Sequence, residues 1–290
     1  MGRGRRTGLL ASVVIPAHNE ELVLGASLAA LLGDAEPGEL DVIVVANACT
    51  DGTAAVARAL DGVRVVETSR AGKASALCLG DAECAGFPRL YLDADVRISA
   101  SSVREMVSAL KSRNALACAP GVEWDIDNCS LAARHAHRVH EVLVAPQRVL
   151  AGVGAYMLTE VAHRRVFPMP EIIADDEWVH RHFDPSERCT VERARSATCP
   201  PPTVSGMVRR RARARAGNRE LDSRSLRSTS PPLALADLVR VVRSRRVTPV
   251  DAVCFVGVLL ADRVVTTWRE LARGGAVWSV ERRMAGKRAG

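Results

Sequence analysis

An alternation over the first 120 residues limits how this chain can fold more than any other feature. Short apolar, β-branched runs (12–15, 41–46, 63–66, 89–92 and 115–119) are separated by segments with helical spacing (20–32, 53–60, 73–85 and 101–111). Continuously apolar strands are buried on both faces, and strands separated by helices pair in parallel. The pattern predicts an α/β core with a mainly parallel sheet flanked by helices. In such sheets ligands bind outside the carboxyl ends of the strands. Four consecutive exits are polar: Pro16-Ala17-His18-Asn19-Glu20, Asn47-Ala48-Cys49-Thr50-Asp51-Gly52, Ser69-Arg70-Ala71-Gly72-Lys73 and Asp93-Ala94-Asp95. Any one of them reads as a turn. Four along one sheet edge read as a site.

Composition excludes several classes. At 290 residues the chain can bury a large core. Aromatic residues make up 3%, too few for a base-stacking platform, so no nucleic-acid partner is expected. The eight cysteines form no C-x-x-C pair and several sit in apolar runs. They read as small buried hydrophobes in a reducing, cytoplasmic compartment. The basic N-terminal residues Arg3, Arg5 and Arg6 precede an apolar run that Pro16 ends early, so no secretory signal is expected. The net charge of +7 is local, because residues 209–246 hold twelve arginines against Glu220, Asp222 and Asp237.

The strand exits carry ordered motifs. V-I-P-A-H-N-E (14–20) and A-N-A-C-T-D-G-T (46–53) are followed by A-G-K-A-S-A-L (71–77), L-D-A-D (92–95) and A-D-D-E-W-V (174–179). Together they resemble the motifs of family 2 glycosyltransferases, over roughly residues 10–220. The resemblance implies a GT-A fold, a Rossmann-like sheet with a C-terminal helical extension. It also implies inverting transfer of a sugar from a nucleotide-diphosphate donor, a UDP-sugar by expectation, to an acceptor hydroxyl. Pro16, Ala17, Asn19, Glu20, Asn47, Asp51, Lys73, Asp93, Ala94 and Asp95 would contact the donor. Asp95, with Asp93 indirectly, would hold Mn²⁺ or Mg²⁺, since a hard cation prefers carboxylate oxygen. Asp176 would be the general base, with Asp175 beside it. Asn47 stands where the family has Asp, and Cys49 where it has Ser. An amide hydrogen-bonds but cannot pair by charge.

Beyond residue 120 the pattern loosens. His135, His137 and His140 on one predicted helix read as core or solvated groups, and Gly152-Val153-Gly154 lacks the context of a dinucleotide fingerprint. Residues 200–232, with the proline runs 200–202 and 231–232, serines and the run Arg209–Arg215, read as a loop or partly mobile segment. That run reads as a flap over the diphosphate, a face for anionic lipid, or a solvated surface. The expected domains are a catalytic domain over 1–220 (donor half 10–120, acceptor half 121–220) and a helical extension over 221–290. In that extension Leu233, Leu235, Leu238, Val239 and Val242 share one face of a predicted amphipathic helix, and a second helix runs from Pro249 to Arg273. The acceptor is open between a small molecule and a lipid-linked one, the latter with peripheral contact at the inner face of a membrane. The rival readings are a basic membrane- or nucleic-acid-binding module, a non-catalytic sugar-nucleotide-binding relative, and a nucleotidyltransferase, whose Gly-rich N-terminal loop is absent.

Overall fold

A computed structural model describes residues 8–228 and 233–271. The elements run β1 (Ala11–Ala17), α1 (Leu24–Leu32), β2 (Leu40–Asn47), α2 (Thr53–Arg58), β3 (Val63–Thr68), α3 (Lys73–Glu83), β4 (Arg89–Leu92), β5 (Arg97–Ile98) and α4 (Ala100–Ser112). Then come β6 (Ala117–Trp124), α5 (Leu131–Leu143), a 3₁₀ turn (Ala145–Gln147), β7 (Ala155–Leu158), α6 (Glu160–Val166), α7 (Asp175–Arg181) and β8 (Arg188–Thr198). Three helices follow: α8 (Val204–Ser223), α9 (Leu235–Arg243) and α10 (Pro249–Leu271). The chain divides into two compact units, one of residues 1–123 and 149–198, the other of 124–148 and 199–290. The boundary expected at residue 220 falls inside α8, and α5 groups with the C-terminal helices.

The first unit is built on an eight-stranded sheet of order β3-β2-β1-β4-β7-β6-β8-β5. Its first four strands are parallel, as the alternation requires. From there the sheet is mixed, with β4–β7, β6–β7 and β5–β8 antiparallel. Every residue of β1 and β2 is buried. Pro16 is tolerated in β1 because the ladder to β4 ends at Val14 opposite Tyr91, so its missing N–H faces no partner there. Helix α3 lies so close to the sheet that a Cβ on Gly80 would stand 2.6 Å from Val14 Cγ1 and 2.8 Å from Val45 Cγ2. Only glycine allows that approach, and it fixes where the helix's first residue, Lys73, is delivered.

The second unit packs α5, α8, α9 and α10 around Ala133, Ala136, Val139, Met207, Leu238 and Phe255. Here the expected loop over 200–232 is corrected. Residues 204–223 form one twenty-residue helix, capped by Thr203 accepting from the Gly206 N–H. Arginine and alanine are both strong helix formers, and the flanking prolines lie outside the helix. Part of the charge is met inside the unit: Arg211 Nε lies 3.2 Å from Asp262 Oδ2 of α10, and Arg215 pairs with the same carboxylate. The second helix expected from Pro249 begins there; residues 272 and 273 lie outside the described part. His135 pairs with Asp251, while His137 and His140 sit against Trp124. Burial, with Arg210 and Arg148 nearby, pushes the His140 ring down to about 3, so it is neutral. All eight cysteines are free thiols. No helix among the described residues is long and apolar enough to cross a membrane.

Candidate functional site

The exits of β1 and β2 are laced together. The Asn47 amide donates to the Ala17 carbonyl at 2.9 Å, and the Asn47 side-chain oxygen accepts from the Gly72 N–H at 3.4 Å. Asn47 is thus a buried crosslink between three exits, and donating from its amide is something the family's Asp could not do. Asn19, at φ 56°, accepts from the Thr50 N–H at 2.8 Å, and the Glu20 N–H donates to Thr53 Oγ1 at 2.8 Å. Asp51 receives the Thr53 N–H at 3.0 Å and hydroxyl at 2.5 Å, and the Glu21 N–H at 3.3 Å. Burial alone would raise its carboxyl, but the hydrogen bonds from Thr53 and the backbone, the Glu21 N–H among them, together outweigh it and hold the group below the usual range. Pro16 and Ala17 are buried in β1, so they shape this rim through their backbone.

The exit of β4 is a tight turn. Ala94 is buried, and the Val96 N–H donates to the Asp93 carbonyl at 3.0 Å, which turns both acid side chains off the strand end. Gly154, preceding β7, takes φ +69°, and its carbonyl accepts the Asp93 N–H at 2.8 Å. A Cβ there would stand 2.6 Å from Val96 Cγ2, so this glycine is demanded twice, by conformation and by space.

Lys73 joins the two acid pairs. Its Nζ lies 2.7 Å from Asp93 Oδ1 and 3.0 Å from Asp175 Oδ2. Asp175, at the first position of α7, has only 4% of its side chain exposed. Burial pushes its carboxyl up to about 6; Lys73 opposes the rise, and the nearby Asp176 and Asp93 charges add to it. Lys73 is shifted upward, because Asp175, Asp93 and Asp176 outweigh the burial that would lower it. Its ammonium therefore stays charged. Asp176 accepts from the Gly152 N–H at 2.5 Å and the Glu177 N–H at 2.8 Å, which fixes its orientation at the helix start. The Tyr156 hydroxyl is buried with no hydrogen-bond partner, and it lines the same small pocket as Lys73, Asp93, Asp175 and Asp176.

Sequence reasoning placed Asp93, Asp95, Asp175 and Asp176, and missed two things here. It did not foresee that the Lys73 ammonium pairs with Asp93 and Asp175 together. It also missed Tyr156, which the apolar run Ala155–Leu158 does nothing to distinguish from core. The glycine-rich turn before it was the one available signal. At the β4 exit the donor set is carboxylate only: Asp95 is half-buried, and Asp93 has 37% of its side chain exposed with one oxygen committed to Lys73. No group of three or more His, Cys, Asp or Glu able to hold a metal occurs among the described residues. Such a sparse, hard-oxygen set suits Mg²⁺ or Mn²⁺, which is bound through one or two carboxylates and takes its remaining ligands from phosphate and water.

A mixed sheet with polar parallel-strand exits and a helical C-terminal part defines a GT-A architecture. The comparisons agree. The mannosyltransferase PcManGT from Pyrobaculum calidifontis, solved with GDP-Man and Mn²⁺, superposes with a TM-score of 0.59 at 17% identity, over 93% of this chain and 82% of that one. S. aureus TarS (1–349), solved with UDP-GlcNAc, gives 0.51 at 14% identity, over 70% of this chain and 65% of that one. Residues 12–155 match the model of glycosyl transferase family 2, and through this segment the chain belongs to that family and is a glycosyltransferase. No curated protein matches the sequence.

Proposed function

We propose that this chain transfers a sugar from a nucleotide diphosphate to an acceptor hydroxyl with inversion at the anomeric carbon, using a divalent cation at the Asp93-Ala94-Asp95 turn. One observation carries the reading: Lys73 holds Asp93 of the β4 exit and Asp175 of α7 within 3.0 Å of one ammonium, and Asp93, Asp175 and Asp176 line one pocket. Asp95 is assigned as the direct cation ligand from its place as the second acid of the L-D-A-D motif at the β4 exit. When bound, the cation would neutralise charge on the departing diphosphate. Asp176 is assigned as the base that takes the acceptor proton, held toward the pocket by the Gly152 N–H. A single base facing the donor is the arrangement that inversion needs. The rim made by Asn19, Glu20, Asn47 and Asp51 is assigned to the nucleoside. Mannose and N-acetylglucosamine donors with different bases occupy the two compared structures, and a UDP-sugar remains the first donor to try here. The acceptor is a hydroxyl compound, small or lipid-linked.

The test is binding of UDP- and GDP-sugars by calorimetry, with Mn²⁺ and with chelator, in the wild type and Asp95→Asn. Cation-dependent binding that Asp95→Asn weakens about tenfold or more supports the assignment, as expected when one ligand of a hard cation loses its charge. Equal affinity in both proteins, with and without metal, would overturn it. NMR of the transferred sugar then reads the anomeric configuration.

A further inference from the structure

The second unit carries a surface that the transfer reading does not use. On α10 the exposed positions Val250, Val253, Gly257, Leu260 and Val264 recur at intervals of three and four, which puts them on one helical stripe. At 1.5 Å per residue the stripe runs about 21 Å. Val253 is 72% exposed and Val264 68%. On α9, Leu235 is 75% exposed and lines a shallow groove with Val239, Arg240 and Arg243, whereas Leu238 and Val241 pack into the core. The amphipathic face expected over Leu233–Val242 is therefore split, with part holding the unit together and part facing out. Exposed apolar surface of this extent marks a docking face.

Charge identifies the occupant. Between residues 233 and 267 there are five arginines, all exposed, and three aspartates. Asp251 is buried against His135 and Arg138, and Asp262 against Arg211 and Arg215. Asp237 pairs with Arg240. Asp251 and Asp262 therefore point inward, and among residues 233–267 the exposed Arg243, Arg245, Arg246 and Arg263 have no acid to answer them beyond the half-buried Asp237. A second copy of this chain would set arginine against arginine. An anionic bilayer surface satisfies both features, taking the apolar side chains at the headgroup boundary and the arginines among lipid phosphates. We infer that α9 and α10 form a peripheral docking face for anionic membrane lipid. This goes beyond the transfer reading and stands or falls separately from it.

The experiment is co-sedimentation of the full chain with vesicles of phosphatidylcholine alone or mixed with phosphatidylglycerol, at low and high salt. Binding to the mixed vesicles only, weakened by salt, is the expected result. Val253→Ser with Leu260→Ser, and separately Arg243→Gln with Arg246→Gln, should each lower the vesicle partition coefficient at least about tenfold, the arginine pair by up to about thirtyfold at roughly 1 kcal/mol per cation. All four side chains are exposed, so circular dichroism and nucleotide binding should stay at wild-type values and separate a lost surface from a lost fold. No binding at low salt, or equal binding to neutral vesicles, would overturn the inference. So would a dimer in sedimentation velocity that the Val253/Leu260 pair abolishes, because the face would then belong to a second copy.

Discussion

Replacing Lys73 by methionine keeps most of the side chain's length and removes its charge, and the consequence can be worked from Asp175. In the folded protein that carboxyl sits at about 6, above its ordinary 3.8, so the folded state binds the proton more tightly than the unfolded one. Stability is therefore lost as pH rises through the window from 3.8 to 6, and above it the full cost is about 3 kcal/mol at 1.36 kcal/mol per unit. Lys73 is what limits the rise. Without it, a carboxylate with 4% of its side chain exposed keeps its proton at neutral pH. At pH 7 that costs roughly 4 kcal/mol relative to an unfolded chain that ionises at 3.8, against roughly 3 in the wild type, so the variant's extra loss through Asp175 is on the order of 1 kcal/mol. At pH 5 both proteins hold the proton and this difference is about zero. Urea unfolding of both proteins at pH 5 and pH 7 measures it. A destabilisation by Lys73→Met that grows by on the order of 1 kcal/mol between the two pH values supports the account. A difference that does not change with pH would refute it, and Lys73 would then matter by packing alone.

Asp176→Asn should lower transfer about 10²–10⁴-fold while leaving donor affinity near wild type, because the base acts on the acceptor; single-turnover transfer and calorimetry separate the two. If transfer survives within a few-fold, Asp175 or Glu177 is the base. Tyr156→Phe removes a buried hydroxyl that has no partner, so thermal stability should be unchanged or slightly raised. A fall in transfer by that variant, with unchanged stability, would mean that the hydroxyl meets substrate. Gly154→Ala should cost about 1–3 kcal/mol in urea unfolding, since φ +69° and the 2.6 Å approach to Val96 both oppose a Cβ. It should also weaken cation-dependent donor binding, because the same glycine shapes the Asp93-Ala94-Asp95 turn.

Much of the first unit is legible in the sequence because its strands are buried on both faces and its helices repeat regularly. Where burial is carried by small or polar residues, the signal fades. Strand β8 buries Val191, Ala194, Ser196 and Thr198 between exposed Glu192, Arg193 and Arg195, and no apolar alternation marks it. Helix α8 was hidden by the opposite effect, a run so charged that it resembles a solvated loop until Asp262, forty-seven residues beyond Arg215, is seen to receive it. The acid pairs of the site were legible as residue types at strand and helix ends. Their connection was not. Lys73 and Asp175 lie 102 positions apart, and what brings them together is the antiparallel entry of β7 beside β4, a choice of partner that periodicity does not encode.

The place of Lys73 also bears on why the proposed reaction would need a cation. Asp93, Asp175 and Asp176 act on one ammonium, which leaves the cluster with two net negative charges when all three acids are ionised and one when Asp175 holds its proton. Had Lys73 faced outward, it could have met the diphosphate itself, as a lysine at a helix start does in other phosphate sites. Held inward, it serves the protein's own carboxylates and presents no spare positive charge at the β4 exit. A diphosphate approaching this turn would therefore meet the net negative charge that Lys73 leaves on the cluster of Asp93, Asp175 and Asp176. Neither Asn47 nor the buried backbone of Pro16 and Ala17 offers a compensating cation. Under the proposed reading a divalent ion on Asp95 would turn this repulsion into attraction, so that the cation and the paired lysine would belong to one design of the pocket.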